Sequence, residues 1–282
     1  MIYLNKYGFS GGFYSEIPHQ IDLIFTRCLP ELEYYQSEVE QKYAQVATVT
    51  KHFKQACFLC VGTTWMQEIV PLIMSEGDPA SVETLPNWDR VPWLEEQRAC
   101  ILNLEERPSP RMFATHFHNN MMPPSFFKVK PKVIYVMRNP KDVFTSSFHY
   151  HGMTSFLVKP GPQNEFLQKF LNGQVMFGSW FDHVEGWLNA ENKEISQFLE
   201  KSLDVEVIDK IAERCVFKNM KQNNMSNYST VPREFMDQTK SEFLRKGIIG
   251  DWKNQLTVAE AEHFDAVYKE KMKNVKYKFV WD

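Results

Sequence analysis

The stretch CFLCVGTTWMQEIVPLI, Cys57 to Ile73, constrains the fold of this chain more than any other. A short apolar run feeds Gly62, Thr63 and Thr64, and a helical pattern follows that Gly77 is placed to end. Strand, glycine turn and helix in that order form one unit of α/β architecture. The unit aims backbone N–H groups and the positive end of a helix dipole at one spot, which suits an anion. Pro71 is expected to kink or shorten the helix. The turn carries no lysine, so as a phosphate site it lacks the adjacent cation such sites use.

Two more strand candidates follow. RMFATHFH reads as a strand ending at a pair of histidines, and Val133 to Met137 form a buried-type strand that turns at Arg138-Asn139-Pro140 into a helix, KDVFTSSFHYH. Strands alternating with helices predict an α/β fold: a central parallel sheet flanked by helices, in a single domain. Ligands in such sheets gather beyond the carboxyl ends of the strands, where Gly62, His116 and Arg138 would lie. From Gln163 onward the chain reads as helices, and its tail as a basic glycine-containing loop followed by a helix. Residues 1–55 are polar and aromatic, with ELEYYQSEVEQKYAQV the one helical pattern among them.

A net charge of -3 argues against general affinity for nucleic acid, so any anion site must be local. No apolar run approaches the roughly 18 residues of a membrane span, and the first residues lack the apolar core of a secretory signal. The chain is expected to be cytoplasmic, with no membrane partner. Five cysteines, an odd count, suggest reduced thiols. Cys57 and Cys60 form a C-x-x-C that could serve redox chemistry, but no second pair completes a zinc site.

On its own the Gly-Thr-Thr turn could be a plain helix cap. Arg138 at a strand end, Ser146 two turns into the next helix, and the Arg245-Lys246-Gly247 loop add cations and a hydroxyl that would suit a second phosphate, although each alone reads as a surface group. His116, beside such a site, could take a proton from a hydroxyl nucleophile; the plainer reading is a hydrogen-bonded core histidine. The pairs His116/His118 and His149/His151 invite a metal. On a helix, however, i and i+2 do not face each other, and no well-placed carboxylate joins them, so no metal is expected.

The tail RKGIIGDWKNQLTVAEAEHFD closely resembles the loop that the cytosolic sulfotransferases close over the sulfate donor PAPS, and the likeness continues through DRVPWLE, RPSPRMFATHFH, VIYVMRNPKDVFTSSFHYH, GSWFDHVEGW and NYSTVPREFMDQ. It divides the chain into a poorly matched segment, 1–55, and a sulfotransferase-like domain, 56–282. The resemblance implies a P-loop-like phosphosulfate turn and sulfuryl transfer from PAPS, leaving PAP, to a small acceptor such as a phenol, alcohol or amine. It implies that Gly62, Thr63 and Thr64 hold the phosphosulfate, that Trp65 stacks on adenine with Phe217 lining that pocket, and that Arg138, Ser146, Arg245, Lys246 and Gly247 bind the 3′-phosphate. His116 matches the general base. Phe148 and Tyr150 are expected in the wall of a site for a flat, apolar phenol or steroid-like acceptor. Lys253 to Glu262, Lys-x-x-x-Thr-Val-x-x-x-Glu, fits the family's dimer motif and implies a weak homodimer; read locally, it is a helix N-terminus capped by Thr257.

Three departures stand out. The family's loop reads Tyr-Pro-Lys-Ser-Gly-Thr-x-Trp, and in that register the lysine is Cys60 and the serine Val61. Ala114 stands where many members carry a second lysine. After Lys193 a strand, a turn and a helix start that the family possesses are missing. The resemblance therefore implies a transferase weakened at Cys60, or an inactive PAP- or PAPS-binding pseudoenzyme or aberrant isoform. A nucleotide kinase or ATPase is disfavoured by the absence of G-x-x-x-x-G-K-[ST].

Overall fold

The computed structural model describes residues 2–5, 56–59, 62–96, 106, 107, 109, 111–122, 124–129, 131–188, 203–277, 279 and 281. Cys60, Val61, the ELEYYQSEVEQKYAQV pattern and the region after Lys193 lie outside them.

Four strands form one sheet: β1 (Ile2–Asn5), β2 (Ala56–Leu59), β3 (Phe113–Thr115) and β4 (Lys132–Val136), in the order β1-β4-β2-β3. β2 pairs in parallel with both β3 and β4, with Phe58 opposite Ala114 and Ile134. β1 pairs antiparallel with β4, so the sheet is mixed and the expectation of a parallel sheet is corrected at this edge. Four residues with no recognisable strand pattern around them hid that strand.

Every residue of β3 is buried, and so are the three central residues of β4, as in strands covered on both faces. Alternation sends Val133, Tyr135 and Phe113 into one apolar cluster with Phe144, Phe166 and Trp180. Ile134 and Ala114 point the other way, to Met66, Val70 and Trp88. Helix α1 (Thr63–Met74) covers this second face together with the short α3 (Asn87–Arg90), while α2 (Ala80–Thr84) places Val82 against Leu72 of α1 in a third cluster. After α4 (Pro124–Val129), helices α5 (Pro140–Met153), α6 (Gln163–Leu171) and α7 (Trp180–Leu188) cover the first face. Helices α8 (Val205–Arg214), α9 (Phe217–Gln222) and α10 (Val258–Lys271) complete the single domain.

Pro71 does not end the helix: α1 runs on through it to Met74. Proline there cannot donate to the Gln67 carbonyl four residues back. Arg90 supplies the missing donor through Nη1 at 3.2 Å. The same arginine is ion-paired with the buried Glu68, to which Ser226 also donates, so one network ties α1 to α3 and to the loop before Tyr228.

His183 on α7 sits deep in this core, where Nδ1 meets the Tyr135 hydroxyl at 2.8 Å and Nε2 the His116 carbonyl at 3.2 Å. Burial first, then the neighbouring His118 and His116, pushes its imidazole well below the ordinary value. His118, His149 and His151 shift downward too, each chiefly through burial. An unfolded chain takes up protons near pH 6.5 where the folded one resists. Stability is therefore full above about pH 6.5 and is lost as the pH falls below it. The melting temperature is expected to drop by a few degrees between about pH 7.5 and about pH 5.5. His183→Gln should flatten that slope, and an equally steep slope in the variant would remove His183 as its source.

Candidate functional site

The glycine turn and three cations converge at one end of the sheet. Gly62 caps α1 with φ 98°, a left-handed conformation in which a side chain is strained, and a Cβ there would also approach Val136 to 3.2 Å. Its carbonyl accepts the Trp65 N–H at 3.0 Å, and the first turn of the helix carries no acidic residue. Thr63 is buried and Thr64 half-buried. The Trp65 indole Nε1 donates to the Cys215 carbonyl at 2.8 Å, which holds its ring 5.8 Å from that of Phe217 at the start of α9. Gly247, at φ 68°, lies against that ring, where a Cβ would come within 2.3 Å of it.

Arg138, Asp142, Ser146 and His149 recur at helical spacing and so share one face of α5 and the turn that opens it. Arg138 donates through Nη2 to the Ile248 carbonyl at 3.1 Å, bringing the distant basic loop to this face. Burial lowers the Arg138 guanidinium from its ordinary value; Asp142 and Asp251 oppose the shift, and nearby Arg245 adds to it. The loop is held by two buried aspartates. Asp142 accepts the backbone N–H groups of Gly250 at 2.8 Å and Trp252 at 3.1 Å. Asp251 accepts from Lys246 at 2.7 Å and Asn254 at 2.9 Å and pairs with Arg245. Burial pushes the Asp251 carboxyl up, but these three partners outweigh it and hold it far below the usual carboxylate range. Ser146 is exposed beside them. His149 is held down by burial and then by Arg245, against a hydrogen bond it donates to Gln255. The set is a cluster of fixed cations steadied by buried anions, able to take a further, more highly charged anion.

His116 lies just past β3, with its imidazole stacked between Trp93, at 4.2 Å and 6°, and Phe177, at 4.7 Å and 15°. Its Nδ1 meets Glu95 Oε1 at 2.6 Å, and the same oxygen accepts the His116 backbone N–H at 2.9 Å. His118 turns elsewhere, its Nε2 2.6 Å from the Phe177 carbonyl, and His151 Nδ1 lies 2.8 Å from the Ser147 carbonyl. No group of three or more His, Cys, Asp or Glu suited to a metal occurs among the described residues.

The structure separates the two expected wall residues. Phe148 packs against Phe144 and Phe166 in the first cluster. Tyr150 packs against Phe243 in the second, which also holds Trp93. Residues i and i+2 of a helix do not face each other, and the two side chains pack in different clusters. Tyr150, its hydroxyl pushed up by burial and then by Glu96, is the one on the side of His116's stacking partner. Ala114 is fully buried in the second cluster. Sequence reasoning missed Glu95, Asp142 and Asp251. Asp142 had a signal in its spacing four residues after Arg138, whereas Glu95 had none apart from its place within DRVPWLE.

The sulfotransferase domain family matches residues 61–195 and 189–276, and the chain belongs to that family. The two matched stretches overlap at residues 189–195. Sulfotransferase 2B1 of Mus musculus is 43% identical over 241 residues, covering 78% of this chain and 71% of that protein. The 3-beta-hydroxysteroid sulfotransferase of Cavia porcellus is 41% identical over 242 residues, covering 78% and 84%. Among solved structures, mouse sulfotransferase SULT7A1 complexed with PAP superposes with a TM-score of 0.62 at 26% identity, covering 82% of this chain and 91% of that one. Retinol dehydratase in complex with androsterone and PAP shares the fold at TM-score 0.74 and 18% identity, covering 100% and 99%.

Proposed function

We propose that this chain transfers a sulfuryl group from PAPS to a hydroxyl or amine of a small, flat acceptor such as a phenol or steroid-like alcohol. The observation that carries the reading is the convergence of Arg138 with Arg245 and Lys246, more than a hundred residues apart, beside the exposed Ser146. That constellation fits a 3′-phosphate. The P-loop-like turn Gly62–Thr64 would hold the 5′-phosphosulfate. Trp65 and Phe217 offer aromatic faces for adenine, and at 5.8 Å they are too close to admit a purine between them, which needs roughly 7 Å. The base therefore stacks on their open side or displaces Phe217.

In the transfer, the acceptor O–H bond breaks and its proton passes to His116. The acceptor oxygen bonds to sulfur as the bond from sulfur to the bridging phosphate oxygen breaks, and PAP leaves. Holding both reactants in line lowers the entropic part of the barrier. No metal enters this scheme. The central parallel strands β2, β3 and β4, the domain span 56–282, a cytoplasmic location and homodimerisation through Lys253–Glu262 belong to the same proposal. For the dimer segment, the support is a 76% exposed Val258, while the Thr257 capping box at the start of α10 accords with the local reading of a helix N-terminus.

Cys60 favours a second reading, a pseudoenzyme that binds PAP or PAPS without turnover. PAP release from PAPS, followed with a panel of phenols and 3β-hydroxysteroids, separates the two. Slow, acceptor-dependent release supports the transferase. No release, with PAP still bound, supports the pseudoenzyme.

A further inference from the structure

We propose that Glu95 is the positioning residue that sets the tautomer of His116, leaving Nε2 as the atom that takes the acceptor's proton; this deepens the reading of His116 as general base and rests on it. Trp93 and Phe177 fix the plane of the imidazole, being nearly parallel to it on both sides. They are indifferent to a half-turn about Cβ–Cγ, which leaves that plane unchanged while exchanging Nδ1 with a carbon. Glu95 breaks the tie, because only one of the two orientations puts Nδ1 against Oε1, at 2.6 Å. The same oxygen is anchored by the His116 backbone N–H at 2.9 Å, so carboxylate and ring are held by one residue.

An ionised carboxylate only accepts, so Nδ1 must carry the proton and Nε2 the lone pair. No described residue bonds Nε2, and the His116 side chain is 34% exposed while that of Glu95 is 7%. The open part of the pair is thus the histidine. Glu95 Oε2 is buried without a hydrogen-bond partner among the described residues. A buried carboxylate so sparsely satisfied is costly to keep, and it gains a full counter-charge when Nε2 takes a proton. In this way it favours the imidazolium formed during transfer.

The test uses the full chain labelled with 15N-histidine, the His116 signals being assigned by their loss in His116→Asn. Long-range 1H–15N correlation at about pH 8.5, where free histidine is neutral, should place the His116 proton on Nδ1. In Glu95→Met, similar in length but with a weakly accepting thioether in place of the carboxylate, the proton should move to Nε2, whereas a merely structural role would lower the melting temperature and leave the tautomer alone. A proton on Nε2 in the parent overturns the proposal, and so does an unchanged tautomer in a folded Glu95→Met. The parent spectrum decides by itself if that variant fails to fold. Should His116→Asn leave turnover intact while the parent shows the Nδ1–H form, the general-base reading fails and the positioning contact stands.

Discussion

A Cys60→Lys variant is expected to transfer sulfate on the order of a hundred- to thousandfold faster than the parent chain. As the acceptor oxygen attacks, negative charge develops on the oxygen that bridges sulfur and phosphate. The family's loop carries a lysine in this register, and here the position holds Cys60, which brings no fixed positive charge. Removing one preorganised electrostatic contact of this kind typically costs about 3 kcal/mol. Gly62 keeps the left-handed conformation the turn needs, and no acidic side chain in the first turn of α1 opposes an anion. Of the departures at this end of the site, Cys60, Val61 and Ala114, the first removes the loop's positive charge and is expected to weigh most. Single-turnover rates at saturating PAPS measure it directly. A folded variant that binds PAP as the parent does, yet turns over no faster, would mean that the site is deficient beyond Cys60.

The second large effect is the loss of the base. In the Cys60→Lys background, His116→Asn is expected to lower kcat by roughly 10²- to 10⁴-fold. PAP affinity should stay within about twofold, because His116 contacts Glu95, Trp93 and Phe177 and not the cations Arg138, Arg245 and Lys246. An equal loss of PAP affinity would show instead that the substitution has disturbed the sheet end that carries the whole site. An unchanged kcat would remove His116 from the chemistry.

How far the sequence foretold this arrangement differs from residue to residue. The strand–turn–helix at Gly62 and the strand leading to Arg138 were legible because local periodicity and a glycine with an obligate backbone conformation are written in adjacent residues. The antiparallel β1 was not, since four residues without a neighbouring pattern acquire meaning only by pairing with β4. That α1 continues through Pro71 was hidden for a related reason: the missing hydrogen bond is replaced by Arg90, a partner 19 positions away in sequence that the helix pattern does not reveal.

The site shows the same division. Arg138 and the Arg245-Lys246-Gly247 loop could be named from sequence, but the buried carboxylates that steady them, Asp142 and Asp251, are defined by contacts made across the fold. Phe148 and Tyr150 were paired by aromatic character, and helical geometry parts them. Glu95 earns its role only through its distance to His116.

The most direct test of the central claim is isothermal titration of the purified chain with PAP, paired with its thermal melt. The account expects micromolar binding with a raised melting temperature, and at least tenfold weaker binding in Arg245→Ala, which removes one of the cations gathered beside Arg138 and Ser146. No heat of binding and no stabilisation, in a chain that melts cooperatively, would contradict it.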